Sequence, residues 1–350
     1  MAYTTIKKSS DYFNTKLYTG NGSSSHGITG INFKPDWTWI KSRSDASDHI
    51  LTDIVRGATV GIKSNTTAGN ATDGNQLKSF DSDGFTLGSE NDVNGSSRTY
   101  ASWNWLAGGS QGSSNTAGSI NTTYTSVNTT SGFSISQYTG TGSAGATVGH
   151  GLGVAPKMII VKGLTYADVW IVGGDNLGGW NKEMYLNSTA TIATNNNAFN
   201  GVAPTSSVFT LGSGNGTNKS GDTYIAYCFA DVTGFSKMIS YTGNASTDGT
   251  FVYCGFKPSF IFTKATATGE SWQIYDNKRL GFNATEKVLY PNTSSSESTL
   301  AGGVDFLSNG FKWRTGDGGV NSSQLYVYMA FAENPFVATS GTSAIPVTAI

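Results

Sequence analysis

The sequence predicts an all-β protein built from three tandem antiparallel β-sandwich-like repeats of one module. Short aromatic or β-branched runs are bounded by Gly, Asn, Ser and Pro, which is the pattern of strands joined by turns. A Tyr-Thr-Gly motif occurs three times, and each copy is followed 17 or 18 residues later by a proline and six residues after that by a lysine. The three copies begin at Tyr18, Tyr138 and Tyr241.

A second spacing supports the same repeat. A phenylalanine and an aromatic strand are separated by 15 residues in each copy, in the intervals Phe85 to Tyr100, Phe209 to Tyr224 and Phe311 to Tyr326. The period of about a hundred residues is domain-sized and too long for a solenoid unit. The expected organisation is an N-terminal arm at 1–11, β repeat 1 at 12–107, a connector at 108–131, β repeat 2 at 132–231, β repeat 3 at 235–334 and a C-terminal tail at 335–350.

Composition excludes several classes of function. The chain has 22 Lys and Arg residues against 23 Asp and Glu residues and a net charge of −1, so nucleic acid is not an expected partner. Hydrophobic residues make up 37% of the chain, enough for substantial cores. The opening residues lack the apolar centre of a signal peptide, and no run reaches the roughly 18 apolar residues of a membrane helix. We therefore expect a soluble protein made in a cytoplasm, without membrane insertion.

In the first repeat, the strongest strand signal is Asp36 to Lys41, where Trp37 and Trp39 share one face. We expect them to pack in a core, and the alternative is an exposed platform for sugar stacking. Asp53 stands twelve residues after Lys41, and Asp276 stands twelve after Lys264. Each of these two Lys and Asp pairs is a candidate salt bridge between two strands.

The segment 108–131 is rich in Gly, Ser, Thr and Asn, which predicts a flexible or surface-laid connector. Repeat 1 is expected to move on it, whereas repeats 2 and 3, joined by a few residues, are expected to dock rigidly. The tail from Pro335 onward is a candidate docking arm. His150 lies among glycines and is expected to be a hydrogen-bonded turn residue, with a metal ligand as the alternative. Cys228 and Cys254 are expected to remain thiols, although a disulfide is possible.

No catalytic constellation is visible. The three histidines lie in separate contexts, a Gly-x-Ser-x-Gly motif is absent, and no phosphate-binding loop occurs. We therefore expect no catalytic residues, no cofactor and no metal ion.

Five features of the sequence are distinctive: the repeated YTG, the string GHGLGVAPKMIIVK, the ends SWNWLAGG and AFAENP, and the opening MAYTTIKKSSDYFNTKLYTGNG. Together they resemble structural proteins of marine tailed bacteriophages, the cyanophage and pelagiphage type described as tail-fibre or virion structural proteins. The resemblance covers nearly the whole chain, but heptads and β-helix repeats of long fibre shafts are absent. It implies a virion surface protein assembled in the host cytoplasm, with other virion proteins as partners and a homo-oligomer, most often a trimer.

The function expected from this resemblance is a non-enzymatic, tail-associated fibre or adhesin, attached through repeat 1 and presenting loops to a host glycan or receptor. The alternatives are a capsid decoration or head-fibre protein and, third, a polysaccharide depolymerase. Polar turn-rich loops suit adaptable recognition. The candidate recognition residues are Trp180, Asn181, Asn195, Asn196, Asn292 and Ser294.

Overall fold

Strands dominate the computed structural model, which describes residues 4–335, 337–340 and 343–346. Strands account for 42% of the chain and helices for 4%, so the predicted all-β class is confirmed. The sheets are antiparallel and pack face to face, as in β-sandwiches. No helix in the described residues is long and apolar enough to cross a membrane.

The first pair of sheets occupies residues 13–105. Its elements are β1 (Phe13–Thr19), β2 (His26–Thr29), β3 (Trp37–Ser42), β4 (Ile50–Asp53), β5 (Val60–Lys63), β6 (Ala71–Thr72), β7 (Leu77–Asp81), β8 (Gly84–Leu87), α1 (Asn91–Asn94) and β9 (Thr99–Trp105). The main sheet has the order β1-β9-β3-β4-β5-β6, and the smaller sheet has the order β2-β8-β7.

The second pair of sheets follows. Its elements are β10 (Tyr124–Asn128), β11 (Phe133–Thr139), β12 (Thr147–Gly149), β13 (Met158–Gly163), β14 (Ile171–Gly174), β15 (Lys182–Tyr185), β16 (Ala193–Thr194), β17 (Val208–Thr210), α2 (Asn215–Asn218) and β18 (Thr223–Phe229). The main sheet has the order β10-β11-β18-β13-β14-β15-β16, and β12 pairs with β17.

The third pair of sheets completes the main body. Its strands are β19 (Ser236–Thr242), β20 (Phe251–Tyr253), β21 (Lys257–Ala265), β22 (Gln273–Asp276), β23 (Thr285–Val288), β24 (Ser298–Leu307), β25 (Gly310–Trp313) and β26 (Leu325–Asn334). The main sheet has the order β19-β26-β21-β22, and the smaller sheet has the order β20-β25-β24-β23. In the tail, β27 (Val337–Ser340) pairs with β28 (Ser343–Pro346), and the rest of this expected docking arm lies outside the described residues.

The three main sheets share an order of four strands. Each contains one four-strand order, which reads β1-β9-β3-β4, β11-β18-β13-β14 and β19-β26-β21-β22. The tyrosine of each Tyr-Thr-Gly motif stands opposite a second tyrosine, in the pairs Tyr18↔Tyr100, Tyr138↔Tyr224 and Tyr241↔Tyr326. The central strands are buried on both faces, which explains why they read as nearly continuous apolar runs instead of alternating ones.

One hydrophobic core joins the three sheet pairs. Trp37 stacks on Tyr227 of the second pair with ring centres 4.4 Å apart, and Phe13 stacks on Phe331 of the third pair at 4.8 Å. Phe229 meets Phe331 edge-on at 6.3 Å, which links the second and third pairs. The Trp37 side chain is therefore core, as expected. The first sheet pair is held in this shared core, so the expectation that it moves freely on the connector is wrong.

Each sheet pair also has a core of its own between its main and smaller sheets. On β3, for example, Trp39 faces the shared core, while Ile40 on the opposite face packs beneath the smaller sheet. Each main sheet is therefore the middle layer between two cores.

The segments around the first sheet pair are ordered. Ile6 is buried in the shared core, and Ser9–Asp11 form a 3₁₀ turn. Within the expected connector 108–131, residues Tyr124–Asn128 form β10, which pairs along the edge of β11. The strand forms because Tyr124 and Val127 each pack against buried apolar side chains, a tertiary contact that a polar composition does not reveal.

Candidate functional site

Three buried lysines bind backbone carbonyls, and two of them, Lys162 and Lys264, do so across a junction between neighbouring sheet pairs. Lys41, Lys162 and Lys264 are fully buried, and burial lowers the pKa of each to about 8. The Lys162 ammonium donates to the carbonyl of Thr67 in the first pair at 3.1 Å, and the Lys264 ammonium donates to that of Thr189 in the second pair at 3.1 Å. These groups bind backbone and are not free to act on a ligand.

A cycle of hydrogen bonds runs from each sheet pair to the next. The Trp170 indole donates to the Lys63 carbonyl at 3.0 Å, and the Trp272 indole donates to the Tyr185 carbonyl at 2.9 Å. His49 Nε2 completes the cycle, 3.0 Å from the carbonyl of Tyr290 in the third pair. Each pair thus contacts both of the others, and the three pairs form a closed ring within one chain. Head-to-tail contacts close in this way only when the rotation between neighbours is right.

The expected Lys–Asp salt bridges do not form. Asp53 instead pairs with Arg56 at 2.5 Å and accepts the hydroxyl of Tyr227 from the second sheet pair at 2.7 Å. Asp276 pairs with Arg279 at 2.7 Å and accepts the indole of Trp103 from the first pair at 3.0 Å. All four charged groups are buried, and an arginine three residues away reaches a carboxylate more readily than a lysine held by carbonyls.

His150 and the cysteines have structural positions. His150 Nδ1 accepts the Leu152 amide at 3.2 Å, and Nε2 lies 3.2 Å from the Thr205 carbonyl, as expected of a turn residue. Burial lowers the pKa of His150. Cys228 and Cys254 are both buried free thiols. Among the described residues, no group of three or more His, Cys, Asp or Glu side chains is placed to hold a metal ion.

The predicted recognition residues of the second pair do not form one surface. Trp180 is only 4% exposed, packs edge-on against Phe199 at 5.3 Å and donates to Asp175 at 2.6 Å. The ring therefore completes the core beneath the loop and is not exposed for contact with a ligand. Asn195 binds the Glu183 carboxylate at 2.9 Å, whereas Asn181 and Asn196 are exposed.

The predicted residues of the third pair lie at the junction with the first. Asn292 accepts the Trp272 amide at 2.9 Å and donates to Ser271 at 3.1 Å. The Ser294 carbonyl accepts the amide of Ser47 from the first pair at 2.9 Å. The Asn292 side chain therefore braces the third pair itself, whereas Ser294, whose side chain is exposed, contacts the first pair through its backbone.

Sequence reasoning missed the side chains that support the exposed turns after the Tyr-Thr-Gly motifs. Asn218 is fully buried, accepts the Thr141 amide at 2.8 Å and donates to the carbonyls of Ser143 and Gly212 at 2.9 and 2.7 Å. Asn94 and Asn321 make the corresponding bonds in the other two pairs. Their spacing from the repeated phenylalanine, nine residues in two copies and ten in the third, was a usable signal.

These three turns are candidate recognition tips. They are residues 21–25, 141–145 and 244–248, and most of them are exposed. Asp248 is the one charged residue among them. Each tip lies at the end of a main sheet opposite the aromatic residues that meet in the shared core, because β1, β11 and β19 run from Phe13, Phe133 and Ser236 out to the Tyr-Thr-Gly motif.

A polar cleft of about 340 Å³ opens in the second pair between β14, β15 and α2. Its two carboxylates, Asp168 and Glu183, are already engaged: the Val169 amide donates to Asp168 at 2.7 Å, and the Tyr185 hydroxyl donates to Glu183 at 2.9 Å. Burial and this carboxylate raise the pKa of Tyr185 to about 12. These contacts indicate that the two carboxylates hold the loops around the cleft in place. They do not indicate a pair of groups positioned for general acid–base catalysis.

Comparison with known proteins returns one family. The family described as "Domain of unknown function (DUF7483)" matches residues 8–335, a span that includes all three sheet pairs. No curated protein and no solved structure matches the chain.

Proposed function

We propose that this member of the DUF7483 family, whose match spans the whole ring of sheet pairs, is a non-enzymatic virion structural protein of a tailed phage. Its role there is that of a tail-associated adhesin at the virion surface, which presents loops to a host glycan or receptor. The resemblance of the YTG, GHGLGVAPKMIIVK and AFAENP strings to marine phage structural proteins supports this role.

The observation that carries the proposal is the arrangement of the turns. The tips at 21–25, 141–145 and 244–248 lie away from the aromatic junction, and a buried asparagine fixes each one. Rigid support beneath small polar residues suits recognition by several weak contacts at once. The opposite end, where Ile6 and the Phe331 end of β26 lie, is left for attachment to other virion proteins.

The finer architecture that we propose is a triplication of one module. The common strand order, the opposed tyrosine pairs and the three buried asparagines all recur once per sheet pair. Three copies in one chain reproduce the closed geometry of a cyclic trimer. We also propose that whole chains associate into a homotrimer. Each chain would contribute its own ring of three sheet pairs to that assembly.

A capsid decoration protein is the second candidate. A ring of three similar sheet pairs can sit on a local three-fold position of a capsid, with its tips outward. The two candidates differ in the position of the protein on the particle and in its effect on adsorption.

The test uses purified protein and intact particles. Labelled antibody against the chain locates it by electron microscopy, and excess protein is then tested for blocking of phage adsorption. We expect a tail position and blocking that is lost when lysine replaces one exposed residue on each tip, as in Ser24→Lys, Ala144→Lys and Thr247→Lys. Ser206→Lys, at an exposed position outside the tips and the candidate recognition residues, is the matched control. A capsid position without any effect on adsorption would support decoration, and absence from the particle would overturn both roles.

A further inference from the structure

An exposed aromatic pair lies on the edge strand β20 of the third sheet pair. Phe251 is 43% exposed and Tyr253 is 63% exposed, whereas Val252 between them is buried. The Trp313 amide donates to the Thr250 carbonyl, and the Cys254 amide donates to the Asn309 carbonyl, so even-numbered residues bond to β25. Since backbone groups alternate sides along an antiparallel strand, those of Phe251 point away from β25. The carbonyl of Tyr253 accepts the Tyr328 hydroxyl at 3.5 Å.

The second sheet pair shows how the same edge is covered elsewhere in this chain. Its strand β12 corresponds to β20, and Thr147 takes the place of Phe251. The Thr147 carbonyl accepts the Ile120 amide at 2.9 Å, and the Thr147 amide donates to Ser119 Oγ at 2.8 Å. Residues 119–120 thus form a short parallel bridge along the edge.

The covering segment also fills a space. The side chain of Ile120 is only 7% exposed and packs in the core of the second pair with Val148. Backbone pairing and one inserted aliphatic side chain together close this edge.

The third pair has no such cover among the described residues. The chain between β18 and β19 is only six residues long, too short to reach along the edge. No described residue hydrogen-bonds to the outward backbone groups of Phe251. A cavity of about 200 Å³ opens beside Tyr253, lined in part by Ser236 and Gly255.

We propose that β20 binds an extended, uncharged strand from a partner protein, paired with the backbone of Phe251 as residues 119–120 pair with Thr147 of β12. Edge strands are templates for this kind of β-augmentation. An aliphatic side chain of the partner enters the cavity beside Tyr253, as Ile120 enters the second core.

Local charge explains why the partner strand is uncharged. Lys312, which stands opposite Phe251, pairs with Asp248 at 2.6 Å, and Lys237 beside the cavity pairs with Asp231 at 2.9 Å. No unpaired charge in this part of the described chain selects a charged ligand. Backbone pairing and apolar contact are the available sources of affinity.

The test is fluorescence anisotropy with the full chain and a labelled peptide of residues 113–128, the segment that covers the second pair. We expect saturable binding in the micromolar range. Phe251→Pro removes the outward amide donor but no ladder bond, and Tyr253→Lys places a charge on the edge. Each should weaken binding at least tenfold, whereas Phe282→Ser, at an exposed aromatic residue away from β20, should leave it unchanged.

Other occupants give other results. No peptide binding, or binding that Phe251→Pro and Tyr253→Lys leave unchanged, would overturn the proposal. A chain ending at Pro335 that binds the peptide much more tightly would identify the chain's own tail as the occupant. Dimers in light scattering that Phe251→Pro abolishes would identify a second copy, and a glycan that competes for Tyr253 would identify a sugar site. Any of these three outcomes would overturn the proposal that a strand of a partner protein occupies this edge.

Discussion

Single buried side chains hold the exposed turns in place. Asn94, Asn218 and Asn321 each use both the carbonyl and the amide of the side chain, so each turn receives bonds that its own short backbone lacks. Buried polar groups with complete partners rigidify the backbone around them, and a group left without partners costs free energy. The geometry of the candidate recognition tips therefore depends on one residue each.

Replacing one of these residues should be costly. Asn218→Ala leaves the Thr141 amide and the carbonyls of Ser143 and Gly212 without partners. We expect the free energy of unfolding to fall by about 2–4 kcal/mol in urea denaturation. The exposed Asn196→Ala is the control and should change stability by less than about 0.5 kcal/mol. Equal effects of the two substitutions would mean that the Asn218 bonds add no stability.

The buried ion pair of the first sheet pair can be compared with uncharged residues at the equivalent positions of the second. Where the first pair has Asp53 and Arg56, the second has Gly174 and Leu177 at the same spacing from the repeated lysine. Asp53→Gly alone leaves the buried Arg56 unpaired, so we expect a loss of about 3–5 kcal/mol. The double variant Asp53→Gly with Arg56→Leu should recover part of that loss in urea denaturation. A double variant less stable than the single variant would contradict this explanation.

The junctions between neighbouring elements depend on buried lysines. The loop after β5 brings the Thr67 carbonyl to Lys162 on β13, and the loop after β15 brings the Thr189 carbonyl to Lys264 on β21. Burial penalises the charged ammonium, and the carbonyls partly offset that penalty. The stability of the ring should therefore depend on pH in the alkaline range.

Stability should rise between about pH 8 and pH 10. The pKa values of Lys41, Lys162 and Lys264 are lowered to about 8, so above that pH the folded state binds fewer protons than the unfolded chain. Each lysine can contribute at most about 3 kcal/mol over the window up to pH 10.5. Above pH 10 the raised pKa values of buried Tyr138 and Tyr241 act in the opposite direction, because the unfolded chain then releases protons that the folded state retains.

The measurement is urea unfolding at pH 7.5, 8.5 and 9.5. Lys162→Met should reduce the rise of stability with pH by about a third, because two of the three lysines remain. A flat profile in the natural chain, or an unchanged slope in the variant, would show that these ammonium groups stay solvated.

At the scale of the whole molecule, the shared core joins the three sheet pairs. Trp37 contacts rings of the second pair, and Phe13 contacts rings of the third, so neither pair can separate without exposing aromatic surface. Separate folding of the three units is therefore unfavourable, although each has a core of its own.

We expect one cooperative thermal transition in calorimetry, with equal calorimetric and van't Hoff enthalpies. Trp37→Ala should lower the midpoint without splitting the transition, because the substitution removes packing from two sheet pairs at once. Two or three resolved transitions would instead indicate independent units joined by the connector.

The all-β class, the strand-rich segments and the positions that recur in each sheet pair are predictable from the amino-acid sequence. These are local properties: aromatic and β-branched runs favour strands, glycine and proline mark turns, and a fixed spacing keeps equivalent residues in register. The turn role of His150 and the core role of Trp37 follow from the same local signals.

The way in which the three sheet pairs meet follows only from their packing in three dimensions. A buried Trp180, an Asn292 held at a junction, the strand β10 inside a polar connector and the exposed β20 edge all depend on which surfaces face each other. Residue type alone does not reveal this, because an aromatic ring in a Gly-rich loop can cover a core or face solvent. In the closed ring, each sheet pair covers part of the surface of its neighbours. This covering determines which of these positions remain free to bind a partner.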